Sequence, residues 1–104
     1  MRRASFLPSA KADLLQLGLY LAQASGSRSV SRKFVSRLRA HCHHLASLPF
    51  HLGLPRPELA PNIRSVAFEN YLIFFRYSQG RFEVVSILEG HLDIPAWFTP
   101  TKSE

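Results

Sequence analysis

Apolar residues recur along this chain at two periods, and the change of period divides it into a helical half and a strand half. From Ala10 the apolar positions Leu14, Leu17 and Leu21, flanked by Leu15 and Tyr20, fall at helical spacing. Pro8 suits the first turn of that helix, where a missing N–H is no loss, and Ser9 is placed to help cap it. Residues 3–7, short and partly apolar, read as a strand leading in. Gly18 inside the helix costs about 1 kcal/mol relative to alanine, which points to a close packing contact there. Ser25-Gly26-Ser27 ends the helix, with Gly26 suited to a left-handed terminating position.

A second helix is predicted over residues 29–48. Its apolar stripe is Val35, Leu38, Cys42 and Leu45, widened by Phe34, His41 and Leu48. Arg28, Arg32, Lys33, Arg37, Arg39 and His43 cover the rest. Two amphipathic helices joined this closely form an antiparallel hairpin. Residues 49–61 hold four prolines and Gly53, a constrained loop that crosses from the hairpin to the strands. Val66 and Phe68 then alternate with Ser65 and Ala67, as in a half-buried strand. After a turn at Glu69-Asn70, residues 71–77 are apolar on both faces, the mark of a central strand. A hairpin turn at residues 78–81 leads to renewed alternation over residues 82–88. Beyond Gly90 the pattern dissolves, although Ile94, Trp97 and Phe98 offer apolar packing.

The expected fold is therefore α+β: an N-terminal strand and a two-helix antiparallel hairpin, packed on an antiparallel sheet that ends in a three-strand meander. Residues 1–98 form one domain on this reading, with residues 99–104 a flexible tail. The 104-residue length fits one hydrophobic core, and 46% hydrophobic with 19% charged residues excludes a disordered composition. Thirteen Lys and Arg against seven Asp and Glu leave +6, a surface that attracts polyanions, either nucleic acid or an acidic protein. The single cysteine, Cys42, cannot build an internal disulfide and suits a reducing compartment. No apolar run reaches membrane-helix length, and Pro8, Lys11 and Asp13 interrupt any signal-peptide core, so a cytoplasmic location is expected.

Candidate chemistry is sparse. His41 and His44 share a helix face beside Cys42 and His43, but a zinc site needs three or four ligands and no second pair follows, so no metal and no cofactor is expected. Cys42 lies in the apolar stripe and reads as a core residue. No serine sits in a nucleophile-elbow pattern, and the five glycines form no phosphate loop. The arginines carry more. Arg64 opens the first meander strand, Arg76 lies near the end of the central one, and Arg56 lies in the proline loop. Neighbouring strands would put Arg64 and Arg76 in one region, where guanidinium groups can grip phosphate or carboxylate. The alternative pairs each with Glu69, Glu83 or Glu89, and it is favoured for Arg76.

The order of short motifs resembles the ParE toxins of bacterial type II toxin–antitoxin pairs, within the wider RelE/ParE superfamily. The matching pieces are Leu7-Pro8-Ser9-Ala10 with Ala12-Asp13-Leu14 and Tyr20-Leu21-Ala22, then Leu45-Ala46-Ser47-Leu48-Pro49 and Gly53. Arg56-Pro57-Glu58-Leu59, Ile63-Arg64-Ser65, Tyr71-Leu72-Ile73 and Phe75-Arg76 follow in the family's order. The resemblance implies a toxin that inhibits DNA gyrase by binding, without catalysis, and that a cognate antitoxin (ParD-like, or another small acidic protein) neutralises. Arg64, Arg76, Glu89, His91 and Trp97 are the candidate target contacts. Leu15, Leu19, Arg37, Leu72 and Phe74 are the candidate antitoxin contacts, the apolar ones serving as docking points if exposed and as core if not.

RelE-type relatives instead cleave mRNA on the ribosome. Here that reading would rest on Arg64, Arg76, His51 and His91, without the family's loop lysines or C-terminal tyrosine. The last strand also departs from the ParE pattern. Ser86 stands where a basic residue is expected, Glu89 where a histidine is usual, and Leu92 at a later basic position. A family member that binds only its antitoxin, with toxicity lost, is the third reading.

Overall fold

The computed structural model describes residues 2–90. Their order is β1 (Ala4–Phe6), α1 (Pro8–Ser25), α2 (Arg28–Ser47), β2 (Leu54–Pro55), β3 (Arg64–Phe68), β4 (Tyr71–Ser78) and β5 (Arg81–Glu89). The five strands form one sheet in the order β1-β5-β4-β3-β2. The expected hairpin and meander are present, and two features extend them. A two-residue strand, β2, forms inside the proline loop and pairs with the start of β3. The sheet is also not wholly antiparallel, because β1 pairs parallel to β5, with Ala4 opposite Phe82 and Phe6 opposite Val84. The intervening helical hairpin supplies the long crossover that a parallel pair requires. Residues 91–98 of the expected domain and the expected tail lie outside the described residues.

Burial explains the layers. Tyr71, Ile73 and Phe75 on one face of β4 join Phe82, Val84 and Ile87 of β5 in a core with Leu14 and Leu17 of α1 and Leu38, Cys42 and Leu45 of α2. Phe75 stacks on Phe82 with ring centroids 4.4 Å apart. On the opposite face Phe74 packs with Ile63 and Leu88, under Leu59 and Ala60 of the proline loop. Alternation along β4 thus sends odd-numbered residues to the helices and even-numbered ones to the loop.

The expected capping by Ser9 does not occur. Leu7 is the N-cap of α1 and makes no side-chain cap bond. The Ser9 hydroxyl instead donates to the Val85 carbonyl, in the segment where the β4–β5 register shifts: Phe74 faces Ser86 and Phe75 faces Val84. The bulge leaves backbone groups without ladder partners, and α1 satisfies them. Asp13 Oδ2 accepts from the Ile87 N–H at 2.9 Å and from the Ser86 hydroxyl at 2.7 Å. Ser86, conspicuous in sequence as a missing cation, is therefore a structural contact that seats α1 on the sheet.

The helix junction follows the sequence closely. Gly26 ends α1 at φ 71°, and Ser27 caps α2 by accepting from the Val30 N–H. At Gly18 the expected close contact between the helices is present, but it does not call for glycine. The Ser31 hydroxyl donates to its carbonyl at 2.6 Å, but an added Cβ would meet nothing nearer than Ser31 Oγ at 3.6 Å. No steric demand for glycine exists there. Gly18→Ala should therefore raise stability by about 0.5–1 kcal/mol in urea denaturation, from helix propensity alone. Asp13→Ala should lower it by about 2 kcal/mol in the same measurement, because the Ile87 N–H loses a charged acceptor.

Candidate functional site

Two surfaces collect the candidate residues. The first is a groove of about 930 Å³ along the helical hairpin. Leu15 and Leu19 lie one turn apart on α1 and are 64% and 59% exposed, far from what core packing would leave. Leu14 and Val35 form the floor beneath them, and Lys11, Arg32, Arg39 and His43 line the walls. An apolar floor between cationic walls suits an amphipathic segment with an acidic flank.

The second surface lies where the proline loop meets the ends of β3 and β4. Arg64 Nη1 donates to the carbonyls of Leu52 at 3.1 Å and Gly53 at 3.2 Å. Arg2 Nη2 donates to the carbonyls of Leu48 and Phe50, and the Tyr77 hydroxyl accepts from the Leu52 N–H at 3.1 Å. These bonds hold the first part of the loop, residues 48–53, whereas residues 56–63 carry backbone bonds of their own. Gly53 sits at φ 87°, and a Cβ there would lie 2.7 Å from Phe75 Cζ, so glycine is required for loop and strand to touch. His51 stacks flat on Tyr77 with centroids 4.0 Å apart and planes 8° apart. His51, Asn62, Arg64 and Tyr77 then line a pocket of about 230 Å³ with Pro55, Pro61 and Ile63.

Arg64 and Arg76 occupy neighbouring rungs but opposite faces. Arg64 pairs with Phe75 on the helix side, whereas Arg76 pairs with Glu83 on the loop side. Arg76 Nε donates to Glu83 Oε1 at 2.8 Å, the structural pairing favoured from sequence. Glu89 lies opposite Tyr71, at the far end of β4 from Arg76. The described target candidates therefore form no single patch. His91 and Trp97 lie outside the described residues.

Among the antitoxin candidates, Arg37 is ion-paired with Glu69 across the β3–β4 turn and sits over the rings of Phe34 and Phe68 at 5.5 Å from each. Leu72 is half-buried. Phe74 is a correction: it is wholly buried in the loop-side cluster and is core rather than docking surface. A strand apolar on both faces offers no sequence signal for which residues a loop will cover.

His41 faces the Phe68 ring at 5.0 Å, and burial together with the neighbouring His44 lowers its pKa. Among the described residues no three His, Cys, Asp or Glu side chains gather as a metal site would require. Sequence reasoning passed over Arg2, Asn62 and Tyr77. Tyr77 carried no usable signal, since alternation places it on the helix-facing side and only the folded chain brings the Leu52 N–H to its hydroxyl. Arg2 carried none either.

Strand, helical hairpin and meander with one parallel edge define a small α+β domain. Residues 4–93 match the family described as ParE toxin of type II toxin-antitoxin system, parDE, and the chain belongs to that family. A search of curated proteins returns no match. Among solved structures, a chain of the chromosomal ParDE TA system from P. aeruginosa is similar with a TM-score of 0.75 at 18% identity, covering 86% of this chain and 96% of that one. At that identity the likeness concerns the fold. No helix among the described residues is long and apolar enough to cross a membrane.

Burial pushes the Cys42 thiol up to about 12, against a smaller lowering by Arg39. The reactive thiolate is then nearly absent at pH 8, and the side chain has no exposed surface. Alkylation at pH 8 should be at least a hundredfold slower for the native protein than in urea, as mass spectrometry of the labelled fraction would report.

Proposed function

We propose that this chain is a gyrase-inhibiting toxin that works by binding, and that its antitoxin lays an acidic amphipathic segment along the α1–α2 groove. Family membership and the separation of Arg64 from Arg76 on opposite faces support the reading together. Phosphodiester cleavage needs cations and proton-transfer groups converging on one phosphate. Here Arg76 is engaged with Glu83 and Arg64 with the proline loop. Binding asks less of the arrangement. We assign the target contact to the end of β5, at Glu89 and the His91 and Trp97 that follow it in sequence.

The antitoxin assignment rests on Leu15 and Leu19, whose exposure leaves apolar surface between Lys11, Arg32, Arg39 and His43. Burying such a pair contributes several kcal/mol to docking at the usual area coefficient of about 25 cal/mol per Å². The cationic walls add selectivity for acidic partners and a dependence on salt.

Purified protein should inhibit supercoiling by DNA gyrase at near-stoichiometric amounts, and unimpaired supercoiling at large excess would sink the assignment. Translating extracts with intact ribosomes should show no mRNA cleavage by the protein. Replacing Leu15 and Leu19 together by glutamate should weaken antitoxin binding at least tenfold in calorimetry, because two carboxylates would meet an acidic partner in an apolar groove. The melting temperature should stay nearly unchanged, since both positions are exposed.

A further inference from the structure

We propose that the pocket between the proline loop and the ends of β3 and β4 binds the phosphate group of a nucleotide, with the base stacked on His51. The pocket, about 230 Å³, takes polar groups from three separate segments: His51 from the loop, Asn62 and Arg64 from the entry to β3, and Tyr77 from β4. No carboxylate among the described residues lines it. Neither Arg64 nor Arg2 forms an ion pair with a carboxylate among the described residues.

The hydrogen-bond geometry leaves donors facing outward. Arg64 spends only Nη1 on the protein, in its bonds to Leu52 and Gly53, and those two bonds fix the guanidinium plane. Among the described residues the one fully buried side-chain atom without a partner is Arg2 Nε, so the remaining nitrogens of Arg64 are not sealed away unpaired. The Tyr77 oxygen already accepts from the Leu52 N–H, which frees its own proton to donate elsewhere. Arg2, 4.8 Å from the Tyr77 ring centroid, adds a second permanent positive charge nearby. A fixed guanidinium, a phenol and an amide offer donors from different directions, which suits the tetrahedral oxygens of a phosphate better than the two coplanar oxygens of a carboxylate.

The ring stack supplies the other half of the ligand. His51 lies flat on Tyr77, and it is exposed, so the stack ends at a bare aromatic face beside the donors. Nucleobases stack on such faces with little regard to sequence. Arg76 and Glu83 take no part, being on the other face of the sheet. The site holds a nucleotide without the converging groups that would cleave it.

Free mononucleotides and single-stranded nucleic acid share this chemistry, and one titration distinguishes them. The protein, labelled with ¹⁵N, would be titrated with inorganic phosphate, with adenosine 5′-monophosphate, with a short single-stranded oligonucleotide and with its duplex. Saturable shifts at Asn62, Arg64 and Tyr77 are expected, with the mononucleotide binding about tenfold tighter than phosphate because its base stacks. His51→Ala should erase that tenfold advantage and leave phosphate binding intact. Arg64→Lys should weaken both ligands, and since it also touches the loop, His51→Ala is the deciding variant. Equal or tighter binding of the single strand identifies a chain as the ligand, and its exclusion identifies the free nucleotide; either result supports the site. The proposal is overturned if no ligand saturates, if duplex binds best, if shifts spread along the α2 arginines instead, or if His51→Ala leaves the mononucleotide advantage in place. Gyrase inhibition is read in a separate assay, so either assignment can fail without the other.

Discussion

Ile73, Phe74 and Phe75, consecutive in β4, retain no exposed surface, and this constraint organises the molecule. A strand buried on both faces requires apolar cover on both sides of the sheet. The helical hairpin covers one side with Leu14, Leu17, Leu38 and Leu45. Among the described residues the other side has no helix, and the proline loop serves instead, laying Leu59, Ala60 and Ile63 over Phe74 and Leu88. Each large side chain so covered contributes roughly 1.5–3 kcal/mol. The loop therefore belongs to the core as much as to the surface.

That role explains the cations around it. Prolines at positions 55, 57 and 61 carry no backbone donor, and the carbonyls of the loop's first part, residues 48–53, take side-chain partners. Arg2 and Arg64 provide them. The same bonds immobilise positive charge at the loop's margin, next to Tyr77 and His51. Arg56 plays the equivalent part on the far side, joining Glu58 to the Ser65 hydroxyl across the Phe74 ring. Folding requirements thus create a rigid, cation-rich rim where flexible surface arginines would otherwise have stood.

Much of this was legible in the residue pattern, and the omissions have physical causes. Helical periodicity located α1 and α2, and the Gly26-Ser27 junction marked the hairpin, because local chemistry alone determines those features. The doubly apolar run at residues 71–77 marked β4 as central, but periodicity carries no information about which neighbours cover each face. Phe74 was therefore open to either reading. The parallel pairing of β1, the two-residue β2 and the bulge at Ser86 depend on contacts between residues far apart in sequence. For the candidate site, Arg76 followed local strand-pair logic to Glu83, whereas Arg64 found backbone carbonyls instead of an acid. Ser86 looked like a deletion of charge and is an anchoring hydroxyl for Asp13.

The parallel pairing of β1 with β5 also governs the timing of assembly. The first described strand finds its partner in the last one described, with Phe6 set against Val84 and the Leu7 N–H bonded to the Val84 carbonyl. During synthesis the hairpin of α1 and α2 can form early from local contacts, but the sheet edge that seats α1 must wait for β5 to leave the ribosome. The nascent chain consequently carries uncovered apolar helix faces until β5 has been made. A partner present at that stage would meet those faces before the sheet does.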